Sequence, residues 1–148
     1  MLLHKIPKQI YLKQLILHNI LQLNKVYHIA VICSDYQESK TFYTRILGLT
    51  IIQEIYRKER QSYKLDLAIN GEYVFELFSF PNPPKRLSAP EASGMGHLAF
   101  EVNDIQLTRD FLVNQSIIAE EVRIDTVTQK GFFFISDPDE LPIEFYEK

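Results

Sequence analysis

An internal repeat constrains the fold of this chain more than any other feature of its sequence. The segment HIAV, which begins with His28, recurs as HLAF, which begins with His97, 69 residues later. Each copy is followed by a glutamate in an apolar segment: Glu76 within VFELF and, 68 residues further on, Glu144 within PIEFY. A duplication that keeps one histidine and one glutamate in each copy, at matched spacing, predicts two similar modules. It also supplies the four ligands that a single metal site would require.

The first copy predicts a strand, a helix and three further strands, which is a βαβββ order. After a strand near 26–33, Asp35 stands three residues before Glu38 in a capping-box arrangement that begins a helix. Gly48 follows that helix at the position favoured beyond a C-cap. An Asn-Gly dipeptide at 70–71 predicts a hairpin turn. The three strands are predicted at 51–57, 63–69 and 73–80.

The second copy repeats this order after a proline-rich linker. Asp104 lies 69 residues after Asp35 and is expected to cap a helix that runs to about residue 114. The strands of this copy are predicted at 97–102, 120–124, 131–136 and 142–146. The predicted fold class is α+β, with two βαβββ modules that form a curved, mostly antiparallel eight-stranded sheet around a metal-binding cup. The predicted divisions are an extension (1–23) and one domain (24–148), made of module one (24–80), the linker (81–96) and module two (97–148).

Residues 1–23 differ in character from the rest of the chain. They contain Lys5, Lys8 and Lys13 but no acidic residue. Apolar side chains at helical spacing predict a short amphipathic helix that packs on the domain or on a second subunit. The apolar run is too short and too polar to span a bilayer, and it lacks the uninterrupted apolar core of a signal peptide. We expect no catalytic part for this extension.

Charge and cysteine content narrow the expected partners and compartment. A formal net charge of −3 over 148 residues gives no electrostatic reason to expect nucleic-acid binding, which usually needs a basic surface. The single cysteine, Cys33, cannot form an internal disulfide, so a reducing cytoplasm is the expected compartment. Cys33 lies within the first predicted strand, where it is expected to be a buried apolar residue. The expected partner is a small-molecule substrate, with neither nucleic acid nor a membrane.

Strand alternation places the repeated polar residues in apolar surroundings. With His28 facing the cup, Ala30 and Ile32 share its face, because side chains two apart lie on the same side of a strand. A bare carboxylate there would be costly unless it were protonated, paired or bound to a metal. Two imidazoles and two carboxylates suit a divalent ion, and Zn, Ni, Co, Fe and Mn are all admissible. The predicted metal ligands are His28, Glu76, His97 and Glu144.

These motifs resemble those of the vicinal oxygen chelate superfamily, which includes glyoxalase I, bleomycin resistance proteins and dioxygenases. The resemblance covers residues 24–148 and rests on the repeated His and Glu positions, on the LGL segment at 47–49 and on the DPD turn at 137–139. The end of module one and the linker are most similar to those of the small YaeR-like glyoxalase-family proteins. The resemblance implies that paired modules, from one chain or from two subunits that exchange modules, enclose one divalent metal ion. It also implies a homodimer.

The resemblance further implies a lyase or isomerase that moves a proton next to a carbonyl. Its substrate would be a small 2-oxo or 2-hydroxy compound or the thiol adduct of one, with Glu144 as the catalytic base and Glu76 as its partner from the other module. Glyoxalase I usually has an arginine and an asparagine, which hold glutathione, at the positions of Ile32 and Phe80. Because neither apolar side chain can hydrogen-bond the charged ends of such an adduct, the sequence argues against glutathione.

Two alternative functions stay open at the level of the sequence. An Fe(II)-dependent dioxygenase needs two histidines, one carboxylate and open coordination positions, and the fourth ligand argues against it. A non-catalytic protein that binds small molecules such as drugs would usually lack the metal ligands. Basic side chains at the rim of the cup could contact an anionic group of the substrate, although each is more often a solvated surface charge. These candidates are Arg57, Lys64, Lys85, Arg86 and Lys130.

Overall fold

A computed structural model describes residues 22–148 and, before them, Gln9. The helix predicted within residues 1–23 falls almost entirely outside the described residues and stays a prediction. The strands are β1 (Ile29–Cys33), β2 (Thr50–Arg57), β3 (Ser62–Ile69), β4 (Glu72–Ser79), β5 (Leu98–Val102), β6 (Arg123–Ile124), β7 (Gly131–Ser136) and β8 (Pro142–Glu147). The helices are α1 (Tyr36–Thr41), which continues as a π-helical turn (Phe42–Ile46), a 3-10 turn (Lys58–Arg60) and α2 (Ile105–Asn114). Within this described part, no helix has the length and apolar composition needed to cross a membrane.

The first helix begins at its predicted cap. Asp35 has an extended backbone, and its side chain accepts a hydrogen bond from the Glu38 amide at 2.9 Å. After the π-helical turn the chain reverses at Gly48, whose φ of +77° lies in the region that favours glycine. This segment buries Tyr43 against Phe75 of β4, with ring centroids 4.6 Å apart. The helix therefore covers one face of the first sheet, the outer face, and we call the opposite face the inner face.

The first module forms a four-stranded mixed sheet in the order β1-β4-β3-β2. Strands β1 and β4 pair in parallel, and the other neighbours are antiparallel. The hairpin between β3 and β4 turns at Asn70 and Gly71, whose φ angles of +51° and +82° confirm the predicted Asn-Gly turn. A register shift between Leu67 and Ala68 places Ala68 opposite Tyr73. This irregularity sets the position of Tyr73 near the candidate site.

The second module repeats this plan in the order β5-β8-β7-β6, with β5 and β8 parallel. Asp104 caps α2 by accepting a hydrogen bond from a backbone amide of the first turn, as predicted. The prediction of a strand over 120–124 is wrong in its extent, because only the last two residues pair with β7. Arg109 of α2 donates a hydrogen bond to the Glu120 carbonyl at 2.7 Å, and the Glu120 amide donates one to the Phe134 carbonyl of β7 at 3.0 Å, so this residue contacts both the helix and the sheet without forming a regular ladder.

A shared core and a buried polar contact join the two modules. Buried apolar side chains from both modules form one cluster, which includes Leu65 and Phe133. The Tyr43 hydroxyl, which is fully buried, donates a hydrogen bond to Asp137 Oδ2 at 2.7 Å across this junction. Asp137 also accepts hydrogen bonds from the backbone amides of Asp139 and Leu141. Burial raises the pKa of the Asp137 carboxyl, although these hydrogen bonds act to lower it.

The fold class predicted from the sequence is confirmed. The protein is an α+β chain in which two βαβββ modules each form a four-stranded mixed sheet, so the eight predicted strands are divided between two sheets. The expected burial of Cys33 is also confirmed: the residue is 1% exposed, and burial raises the pKa of its thiol to about 11. A thiol in this environment is an apolar core group, not a reactive one.

Candidate metal centre

In the first module, two parallel strands bring His28 and Glu76 together. His28 directly precedes β1, and Ala30, two residues later, lies opposite Glu76 in the ladder between β1 and β4. Because side chains two apart share a face, both side chains lie on the inner face. The His28 Nε2 and Glu76 Oε2 atoms are 3.2 Å apart. Glu76 is buried, whereas 34% of the His28 side chain is exposed.

The second module builds the same pair by the same device. His97 directly precedes β5, and Ala99 lies opposite Glu144 in the parallel ladder between β5 and β8. The His97 Nε2 and Glu144 Oε2 atoms are also 3.2 Å apart. The internal repeat of the sequence is therefore also a repeat of structure, because each module places a histidine nitrogen at the same distance from a glutamate oxygen.

Both distances suit two ligands of one metal ion. Metal–nitrogen and metal–oxygen bonds of about 2.0–2.2 Å leave neighbouring ligand atoms roughly 3 Å apart. Imidazole and carboxylate are also ligand types that a divalent first-row ion accepts. Within residues 22–148 of one chain, however, no group of three or more His, Cys, Asp or Glu side chains could hold an ion. The structure thus forms two His–Glu pairs that remain apart within the described residues, and we call each pair a half-site of the predicted metal centre.

The carboxylate of Glu76 has two further partners. Its Oε1 atom lies 2.7 Å from the Lys64 ammonium and accepts a hydrogen bond from the Tyr73 hydroxyl. Lys64 also forms an ion pair with Asp66, which lies opposite Glu76 in the ladder between β3 and β4. Burial acts to raise the pKa of the Glu76 carboxyl, but the hydrogen bonds from Lys64 and Tyr73 outweigh it and lower that pKa below its usual value. Glu76 is therefore held in its charged form.

The surroundings of Glu144 are aromatic. Phe134 of β7 lies opposite Glu144, and its ring meets the His97 ring edge-on with centroids 5.4 Å apart. Two residues along β8 on the same face, Tyr146 lies opposite Phe132 with the two rings stacked. Among the described residues, His97 is the one side chain that forms an ion pair or hydrogen bond with the Glu144 carboxylate. The two half-sites thus contain the same residue types, one histidine and one glutamate, but differ in the side chains that surround them.

Comparison with known protein families gives the classification of this chain. The family model for the Glyoxalase/Bleomycin resistance protein/Dioxygenase superfamily matches residues 25–145. The chain belongs to this superfamily. The resemblance drawn from the sequence motifs is therefore confirmed, and glyoxalases and dioxygenases, which are enzymes, are among the proteins for which the superfamily is named.

Two close relatives and a solved structure support membership of the glyoxalase superfamily. The uncharacterized protein YwkD of Bacillus subtilis (strain 168) is 53% identical over 126 residues, which cover 85% of this chain and 98% of YwkD. The uncharacterized protein YaeR of Escherichia coli (strain K12) is 53% identical over 128 residues, which cover 86% of this chain and 99% of YaeR. A glyoxalase family protein from Enterococcus faecalis is 39% identical with a TM-score of 0.78, covering 84% of this chain and 98% of that structure. The expected similarity to YaeR-like proteins is confirmed.

Sequence reasoning placed the four repeated residues of this glyoxalase-family chain in two pairs but missed Asp66 and Tyr73. The alternation of Lys64 and Asp66 with the buried Leu65 is a signal that both polar residues face the cup. The hairpin turn alone, however, would have placed Asp66 opposite Phe75, and the register shift between Leu67 and Ala68 is what brings it opposite Glu76. The position of Tyr73 relative to Glu76 depends on the same register shift, which leaves Val74 of β4 without a partner in β3 and which no motif in the sequence announces.

Besides Lys64, two of the basic residues predicted at the rim contact other groups of the protein. The Arg57 guanidinium lies 4.8 Å from the centroid of the Phe78 ring on the inner face. Arg86 in the linker forms an ion pair with Glu91 at 2.8 Å and donates a hydrogen bond to the Met95 carbonyl. Contact with a substrate stays a prediction for Arg57, Lys64, Lys85, Arg86 and Lys130.

A cavity of about 410 Å³ borders the inner face of β1. Its lining is mostly apolar and includes Ala30, Ile32, Pro83 and Met95. Ala30 and Ile32 share the face of β1 that bears His28, so the cavity continues the surface beside the first half-site. A pocket with this lining can accept the apolar part of a small ligand.

Proposed function

We propose that this protein is a metal-dependent lyase or isomerase that moves a proton next to a carbonyl of a small 2-oxo or 2-hydroxy compound, or of its thiol adduct. The observation that carries this proposal is the repeated His–Glu pair, with a nitrogen-to-oxygen distance of 3.2 Å in both modules. A structural ion pair has no need to be duplicated at matched positions on two inner faces, whereas a shared ion needs both. Membership of the glyoxalase superfamily supports this proposal.

The complete site, in this proposal, forms between two copies of the chain. Each chain offers two half-sites that do not come together within its described residues, and a second copy can supply the missing pair to each. The inner faces also leave apolar side chains exposed beside the half-sites, including Ile32 at 55% and Ala30. Exposed apolar surface of this kind is typical of an interaction site. A symmetric dimer would thus hold two equivalent centres, each with two histidines and two glutamates.

The chemistry assigned to this centre is proton transfer at carbon. When bound, a divalent ion would polarise the carbonyl of the substrate and make the neighbouring carbon-bound proton more acidic. Glu144 would accept that proton and deliver it to the adjacent carbon, because its carboxylate has His97 as its one side-chain partner among the described residues. Glu76 would stay in place as a ligand, held by Lys64 and Tyr73.

The substrate is expected to be small and largely apolar around its carbonyl group. Ile32 and Phe80 lie where glutathione-dependent glyoxalases are expected to hold charged groups, and neither can form a hydrogen bond through its side chain. The cavity beside β1, whose lining is mostly apolar but includes Arg86, Asp137 and Asp139, favours a compound that is apolar in part. Cys33, the single cysteine of the sequence, is a buried free thiol and forms no disulfide within the chain. This fits the cytoplasmic location that we also propose.

The direct test is a comparison of metal content and turnover in the Glu144→Gln variant. We expect the purified protein to contain a stoichiometric divalent ion, and the variant to lose turnover while it keeps most of that ion. The assay is proton exchange or product formation with methylglyoxal and its thiol adducts after metal exchange. Glu121→Gln is the matched control, because Glu121 lies in the same module with an 87% exposed side chain. Full activity of Glu144→Gln would reject its assignment as the base.

The same metal-exchanged protein separates this proposal from the two alternatives. Oxygen uptake with catechols in the Fe(II) form would identify a dioxygenase. Tight binding of a small molecule without turnover, in protein that holds no stoichiometric metal, would identify a binding protein. Either result would overturn the proposed proton transfer.

A further inference from the structure

The two half-sites of this protein are unequal in charge. In module one, Lys64 lies opposite Phe78 and Asp66 lies opposite Glu76. In module two, the corresponding positions hold Phe132, opposite Tyr146, and Phe134, opposite Glu144. The second module therefore has two phenylalanines where the first has an ion pair. The His–Glu distances are the same in both modules, so the difference lies in the residues around each pair.

The contacts of Glu76 divide between its two oxygens. Oε1 is taken by the Lys64 ammonium at 2.7 Å and by the Tyr73 hydroxyl, whereas Oε2 faces His28 Nε2 at 3.2 Å. A carboxylate held in this way presents one oxygen to an ion beside the histidine. Glu144 has no equivalent hold among the described residues, so it is free to change its contacts.

Lys64 also neutralises a second carboxylate beside the site. Its ammonium lies between Asp66 and Glu76, which face each other from adjacent strands on the inner face, and only 24% of its side chain is exposed. Without the lysine, both carboxylates would present negative charge toward the half-site. Two carboxylates that face each other from adjacent strands repel each other, and together they attract a divalent cation more strongly than one carboxylate does.

We propose that Lys64 is a positioning residue of the metal centre: it withdraws Asp66 from the ion and, with Tyr73, fixes Glu76 as a ligand through Oε2. The first module thereby supplies a constant part of the site, and the exchange of carboxylate contacts during the reaction is left to Glu144. This inference rests on the proposed function, because it assigns parts to the two glutamates of that centre.

Opposite effects of two substitutions test this role. Lys64→Met removes a positive charge while Tyr73 still holds Oε1, so Co(II) should bind about tenfold more tightly. Tyr73→Phe removes a hydrogen-bond donor without any change of charge, so Co(II) should bind about tenfold more weakly. If Lys64 had only a structural part, both substitutions would weaken binding. Affinity is measured by titration of the metal-free protein, and the visible absorption of bound Co(II) reports a change in coordination.

Further variants assign the effect to named groups. In Lys64→Met/Asp66→Asn the extra negative charge is gone, so the affinity should return to within about threefold of the wild-type value. Lys64→Arg keeps a cation with several donors and should keep the wild-type affinity. Lys40→Met is the matched control: Lys40 forms an ion pair with Glu54 at 2.6 Å and has a similar exposed fraction, 26%, but lies on the outer face. It should leave Co(II) binding unchanged.

An unchanged affinity and an unchanged Co(II) spectrum in Lys64→Met would overturn this inference and leave the proposed function standing. A weaker affinity in that variant would overturn it equally. If the wild-type protein bound no Co(II), the proposed metal centre would fail and the part assigned to Lys64 would fail with it.

Discussion

The junction between the modules can be tested at one hydrogen bond. Tyr43 is fully buried, and its hydroxyl donates to Asp137 Oδ2 at 2.7 Å, where the carboxyl group is 5% exposed. The Tyr43→Phe substitution removes this donor and leaves the ring in place. Asp137 keeps its bonds from the amides of Asp139 and Leu141, so its carboxylate retains two of three donors.

The expected loss follows from the strength of hydrogen bonds to charged groups. Such a bond contributes about 1.5–3 kcal/mol, so Tyr43→Phe should lower the free energy of unfolding by about 2 kcal/mol. For a domain of this size, that corresponds to a decrease in Tm of roughly 6–10 °C. Tyr56→Phe, at a half-exposed position on β2, is the control and should cost less than about 0.5 kcal/mol.

The pH dependence of this loss has a defined sign. Burial raises the pKa of Asp137 in the folded state, and the Tyr43 hydrogen bond acts against that rise. A carboxyl group whose pKa is raised by folding stabilises the folded state at pH values below its pKa in the unfolded chain. This contribution is lost as the pH rises through its pKa in the folded protein. The hydroxyl mainly stabilises the ionised form, so the cost of Tyr43→Phe should be largest near neutral pH and smaller in acid. Urea unfolding at fixed protein concentration measures it.

Two results would refute this account of the junction. One is a decrease in the free energy of unfolding of less than about 0.5 kcal/mol at neutral pH, which would mean that the Tyr43–Asp137 hydrogen bond contributes little to stability. The other is a loss that grows on acidification, which would mean that the protonated carboxyl is the form stabilised by Tyr43.

Three further predictions concern packing, capping and the ligands. Gly131→Ala should lower the free energy of unfolding by about 1–3 kcal/mol in denaturant titration, because the added Cβ would lie 2.8 Å from Ile105 Cγ2; an unchanged midpoint would contradict this packing. Asp104→Ala should lower thermal stability by about 1 kcal/mol through loss of the helix cap, and a melting curve equal to that of the wild type would argue against the cap. In dialysis against Zn²⁺, Glu76→Gln should lose affinity at least about tenfold more than Glu144→Gln, and equal losses would contradict the unequal half-sites.

The sequence predicted local structure well where a few neighbouring residues decide it. Asp35 and Asp104 cap their helices because an N-cap depends on three or four consecutive positions. Strand parity, which needs only the alternation of side chains, placed Ala30 and Ile32 on the face that bears His28. The His–Glu pairs of the candidate metal centre depend in addition on the parallel ladders, in which Ala30 lies opposite Glu76 and Ala99 opposite Glu144.

Features that depend on contacts between distant segments could not be predicted in the same way. No local signal announces that β6 has only two residues, and the place of Tyr73 beside Glu76 reflects a register shift between β3 and β4. The contacts of Lys64 with Asp66 and Glu76 depend on the shifted register of the ladder between β3 and β4. The proposed joining of the two half-sites between two copies of the chain has no local signal in the sequence.

Complementation between two defective chains tests the central claim most directly. One chain carries His28→Ala and Glu76→Gln, the other carries His97→Ala and Glu144→Gln, and different tags allow the mixed dimer to be purified after co-expression. If each centre combines module one of one chain with module two of the other, the mixed dimer contains one complete set of ligands. We expect it to bind half as much Zn²⁺ as the wild-type dimer, whereas either defective homodimer binds none with comparable affinity. A purified mixed dimer that binds no more Zn²⁺ than the defective homodimers would contradict the shared metal centre.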